Sequence, residues 1–120
     1  MEEKDRRSVM RTDLVYYLEI RDKSQNKMIG RLGDISDSGL MVLSEEPLDL
    51  NSLYSITVKL PKDHNFPKDE IEIAVMTRWL KPDFNPKFIC TGCEFSIIKD
   101  ADVGIINRLI KGFSFKDTGR

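Results

Sequence analysis

Histidine is almost missing from this 120-residue chain, which has His64 and no other. Cysteine is nearly as scarce, with Cys90 and Cys93 alone, and neither charge sign dominates: 19 Lys+Arg stand against 20 Asp+Glu. No apolar run approaches the ~18 residues a membrane span needs, and no hydrophobic leader region follows the initial Met. Each shortage excludes something. A lone histidine in the hydrophilic, proline-bracketed "LPKDHNFPKDE" leaves no relay for nucleophilic catalysis. A zinc site asks for about four ligands, and "CTGC" supplies two. A redox CxxC normally opens a helix, whereas this one sits in the strand-like "KFICTGCEFSII", so it reads as a pair of ordinary reduced thiols. A net charge of −1 argues against a duplex nucleic-acid binder, which would show a broad basic face. The expectation is a soluble, cytoplasmic protein that is not an enzyme. It should have no metal, no DNA or RNA partner and no membrane insertion.

What the chain does have is alternation. Hydrophobic residues make up 40% of it, enough for one domain with a real core. In "DLVYYLEI" Leu14, Tyr16, Leu18 and Ile20 share one face, and "MIGRLGDIS" and "GLMVLS" follow after turn-rich breaks. In "LYSITVKLP" Tyr54, Ile56, Val58 and Leu60 alternate with Ser55, Thr57 and Lys59. In "EIEIAVMTRWL" Ile71, Ile73, Val75 and Trp79 form the apolar face, and "FICTGCEFSII" closes the series. About six strands at hairpin spacing predict an all-β barrel or sandwich. The period then changes: "DADVGIINRLIKGF" sets Val103, Ile106, Leu109, Ile110 and Phe113 on one helical stripe. Asp100 or Asp102 is expected to cap that helix, and Lys111 with Gly112 to end it.

Two stretches lie outside this packing logic. The polar arm "MEEKDRRSVMRTD" concentrates Arg6, Arg7 and Arg11 where little can be buried. Read plainly, it is a solvated terminus in which Glu2, Glu3 and Asp5 partly neutralise the arginines. The second is "DISDSGL", residues 34–40. On an extended backbone Asp34 and Ser36 point the same way, and Gly39 permits a positive φ or a close approach of another group. The plain reading here is a hairpin turn whose Asp and Ser side chains bond their own backbone. Each signal is weak alone. Together, an R-x-x-x-R arm before the first strand and a D-x-S-x-x-G at the junction of the second and third are more specific.

In these residues the sequence resembles the PilZ domain family of cyclic di-GMP receptors. Arg7 and Arg11 match its RxxxR element, and Asp34, Ser36 and Gly39 match its [D/N]xSxxG element. "TRWL" and "GCEF", Gly92 to Phe95, resemble further family patterns. The resemblance implies a mainly β fold, a six-stranded antiparallel β-barrel with a C-terminal α-helix. Residues 1–13 would form a flexible arm and 14–120 the barrel, with its helix at about 100–113. It also implies a non-catalytic second-messenger receptor that passes the signal to a downstream effector protein by ordering of the arm. The residue types suit such a ligand. Guanidinium groups bind phosphate or a guanine edge bidentately and stack on purines, while a carboxylate takes the donor edge of guanine.

Arg6 lies just before the RxxxR element. In families resembling this one, an arginine there goes with capture of an intercalated pair of cyclic di-GMP molecules. The competing reading points Arg6 into water or pairs it with Glu2 or Glu3. Two other functions compete with the receptor. An interaction adaptor on the same fold, with weak or no nucleotide binding, is opposed by five intact motif positions. A single-stranded nucleic-acid barrel would want stacking aromatics on a basic groove, and Tyr16, Tyr54 and Trp79 fall in core-like alternation.

Overall fold

A computed structural model describes residues 18–62 and 65–113. The alternating segments form six strands: β1 (Glu19–Asp22), β2 (Lys27–Ile35), β3 (Gly39–Ser44), β4 (Leu53–Lys59), β5 (Glu70–Pro82) and β6 (Ile89–Ile98). One helix, α1 (Asp100–Phe113), follows. The strands close into a barrel in the order β1-β2-β3-β6-β5-β4, every pairing antiparallel. The expected architecture is therefore the observed one. Leu14 and Tyr16, expected on the first strand, lie outside the described residues, as does His64.

Period two explains the core. Ile71, Ile73 and Val75 of β5 and Ile56 and Val58 of β4 point inward and are buried, joined by Ile20, Leu32, Ile35, Leu40 and Val42. β-branched residues dominate, as expected where each side chain stands on a pleated, half-buried surface. The seam is short: β1 meets β4 through Ile20 opposite Val58, Arg21 opposite Thr57 and Asp22 opposite Ile56. Where the backbone must turn left-handed, asparagine does it, at Asn26 (φ 52°) and Asn51 (φ 54°). Asp22 closes the β1–β2 turn, its Oδ1 accepting from the Ser24 amide at 3.0 Å and hydroxyl at 2.9 Å.

The helix forms where the period predicts it but is rolled about its axis. Val103, expected inward, is 44% exposed. Ile106 and Leu109 are buried as expected and Ile110 is half-buried, but Asp102 and Ile105 complete the buried stripe in place of Val103, at the three- and four-residue spacings that share one face. Adjacent positions differ by about 100° around a helix, so the stripe that holds Ile105 carries Val103 out. Sequence periodicity alone does not favour Asp102 in that stripe. Its carboxylate is fully buried and is held by the Lys68 ammonium at 2.8 Å from Oδ1. Asp100 and Asp102 lie inside the first turn, where acidic groups complement the helix dipole. The Phe113 side chain lies outside the described residues.

Truncating the two helix positions should separate the readings. Leu109→Ala should cost about 2–5 kcal/mol by loss of burial and a residual cavity, whereas Val103→Ala should stay within about 0.5 kcal/mol. Urea denaturation of both variants measures the difference. Equal losses would mean that the helix is not rolled as described.

Candidate functional site

The D-x-S-x-x-G stretch runs off the end of β2, through a turn, into β3. A bulge between Leu32 and Asp34 shifts the register, so that Leu32 faces Val42 while Asp34 faces Met41. Leu32 and Ile35 can then both be buried with Asp34 exposed between them. The Asp34 Oδ1 accepts from the Ile35 amide at 2.9 Å, which fixes the carboxylate. The turn closes through the Ser36 amide on the Gly39 carbonyl at 2.8 Å, and the Ser38 amide reaches the Ser36 hydroxyl at 3.3 Å. Gly39 does not use a positive φ. The freedom it uses is close approach, since a Cβ there would strike the Cys93 carbonyl of β6.

The opposite wall comes from β5 and β6. A bulge between Thr77 and Trp79 leaves Arg78 as the extra residue. This corrects the sequence expectation for Trp79. Thr77 takes the inward place, fully buried, its hydroxyl donating to the Asp49 carbonyl at 2.6 Å, and Trp79 is turned out to 43% exposure. The indole lies over Gly92, where a Cβ would collide with its ring, and the Lys81 ammonium stands 5.3 Å from the ring centroid. Arg78 pairs with Glu94, with Nε and Nη2 each 2.8 Å from Oε1.

These walls enclose a shallow groove of about 360 Å³ that brings together Asp34, Ser36, Gly39, Arg78, Trp79 and Glu94. A larger hollow, about 1030 Å³, opens around Met28, Leu48, Tyr54 and Phe88 and holds no motif residue. Arg6, Arg7 and Arg11 lie outside the described residues. Leu18 is the first described residue after them. The Leu18 carbonyl accepts from the Leu32 amide at 2.8 Å, antiparallel to β2 and two residues short of Asp34.

Sequence reasoning passed over Arg78 and Glu94 and put Trp79 in the core. "TRWL" and "GCEF" were the signals that contained them. The cysteines match their plain reading: both are free and buried. Burial raises both thiols, Cys93 to about 11, and the Asp83 carboxylate adds to the rise at Cys90. Among the described residues no His/Cys/Asp/Glu group is placed to hold a metal, and no helix is long and apolar enough to cross a membrane.

A family model described as PilZ domain matches residues 5–112. The chain belongs to the PilZ domain family. Among solved structures, it is similar to the PilZ domain with c-di-GMP of YcgR from Escherichia coli. That match has a TM-score of 0.60 and 15% identity, over 82% of this chain and 81% of that one. The Bacillus subtilis inhibitor of motility (MotI/DgrA) gives 0.57 at 21% identity, over 81% and 45%. The Borreliella burgdorferi PlzA protein in complex with c-di-GMP gives 0.55 at 18%, over 87% and 48%. At these identities the structural likeness shows the fold. This PilZ domain spans about half the length of the MotI/DgrA and PlzA chains. No curated protein matches it.

The two glycines of this PilZ domain should respond differently to alanine. Gly39→Ala sets a Cβ against main chain that cannot move aside, and should destabilise by about 1–3 kcal/mol, as overpacking does. Gly92→Ala meets a side chain that can swing away, so most stability should remain while the emission of Trp79, the only tryptophan, shifts to the red. Thermal melts and fluorescence spectra of both variants check this. An unchanged spectrum for Gly92→Ala would contradict the stacking.

Proposed function

We propose that this PilZ domain is a non-catalytic receptor for cyclic di-GMP. The ligand is held between Asp34, Ser36 and Gly39 on the barrel and Arg7 and Arg11 on the preceding arm. The observation that supports this reading most is the position of Leu18. Its carbonyl bonds β2 at Leu32, two residues before Asp34, one of the residues that line the groove with Ser36 and Gly39. Two of the similar solved structures carry c-di-GMP on this fold. The chemistry is complementary. Two guanidinium groups meet phosphodiesters or guanine O6/N7, and the exposed Asp34 carboxylate meets the guanine ring N–H and amino group. Ordering of the arm on the ligand is the change an effector protein would read, and it costs part of the binding free energy. Arg6 supplies a third guanidinium for an intercalated ligand pair, whose four phosphate charges exceed what Arg7 and Arg11 satisfy.

Calorimetric titration with cyclic di-GMP, with GTP and cyclic di-AMP as controls, tests the reading. Arg7→Ala and Arg11→Ala should each weaken binding roughly ten- to a hundredfold, the equivalent of charge-assisted bonds worth ~1.5–3 kcal/mol. Normal binding by either variant would remove the arm from the site. Because Asp34 is exposed, Asp34→Ala should abolish binding with little change in melting temperature. If stability and binding fell together, Asp34 would be a turn residue and the chain an adaptor on the PilZ fold. Stoichiometry should be near two ligands per chain, falling toward one in Arg6→Leu. One per chain in both would leave Arg6 as a solvated charge.

A further inference from the structure

The groove has one guanidinium among its described lining residues, and a carboxylate already occupies it. Arg78 is the extra residue of the β5 bulge, so its side chain has no cross-strand slot of its own. It reaches Glu94 through Nε and Nη2, both to the single oxygen Oε1. That arrangement lacks the fork-on-fork pairing of two nitrogens with two oxygens that makes arginine–anion contacts strong. Both side chains are more than half exposed, 53% and 55%. An exposed pair of this kind shifts an equilibrium only about two- to fivefold. Glu94 also stands directly opposite Gly39 in the β3–β6 register. An anion entering beside the D-x-S-x-x-G turn therefore meets a carboxylate, and the only cation among the described lining residues, Arg78, is turned toward that carboxylate.

The geometry points to an exchange of partners that sets the affinity of this groove: Glu94 holds Arg78 in the free protein, and a ligand phosphodiester takes the guanidinium from it. The inference rests on the cyclic di-GMP reading of the same groove and adds to it a binding residue outside both motifs and an internal competitor. A phosphodiester offers two oxygens where Glu94 presently offers one, so the exchange trades a single-oxygen contact for a bidentate one. Glu94, released, is left at the exposed edge, where water solvates it. The competitor fixes the ligand concentration at which the receptor responds, because every binding event must first break the pair.

Calorimetric titration of cyclic di-GMP into the native chain, Glu94→Gln, Arg78→Ala and the double variant tests the exchange, with melting temperatures taken for all four. Glu94→Gln, which frees Arg78, should tighten binding about two- to fivefold. The decisive comparison is Arg78→Ala in the Glu94→Gln background. If Arg78 binds the ligand, the double variant should bind about tenfold more weakly than Glu94→Gln alone. If Arg78 serves only to neutralise Glu94, the two would bind within twofold of each other and the exchange would be overturned. A native chain that binds while Glu94→Gln gains nothing would overturn the competition and leave the receptor intact. A native chain that does not bind cyclic di-GMP would remove the receptor reading and the exchange together.

Discussion

The contact on which the groove depends is between two pieces of main chain. Gly39 lies so close to the Cys93 carbonyl that no other residue fits without moving a strand. That approach fixes β3 on β6 in a register that puts Glu94 beside Gly39 and Gly92 beside Met41. Gly92 in turn leaves room for the Trp79 indole. A single side-chain deletion thus sets the positions of groups on three strands.

The bulges do the complementary work. A barrel strand alternates strictly between core and solvent, so a side chain that would continue the inward series is turned outward only where the period is broken. β2 breaks it between Leu32 and Asp34, and β5 between Thr77 and Trp79. Both breaks face the same groove. Around them the core keeps its period, with Ile71, Ile73, Val75, Ile56 and Val58 all buried. The site is irregular backbone carried by a regular scaffold, which holds Asp34 and Ser36 in place without help from a ligand.

The extent to which the sequence disclosed this follows the range of the interactions. Strand β3 runs over the same residues, 39–44, as its alternation predicts, and α1 over 100–113, because both patterns are local. Asp34, Ser36 and Gly39 were legible for the same reason, since all three fall within one short turn. Trp79 was not: it falls in step with Ile71, Ile73 and Val75 at every second position, and the bulge that ejects it is set by pairing with β6. The roll of α1 that exposes Val103 and buries Asp102 depends on Lys68, 34 residues earlier. Arg78 and Glu94 meet across 16 residues of sequence, and neither stretch names the other.

The closed ring of strands has its own consequence. Each of the six is hydrogen-bonded to a neighbour on both sides. Many signalling modules recruit partners by lending an open sheet edge to an incoming peptide strand, which gives generic main-chain affinity. A sheet closed on itself offers little of that. Whatever this domain recruits must be read through side chains and loops, so partner choice rests on residues that can diverge freely without disturbing the barrel.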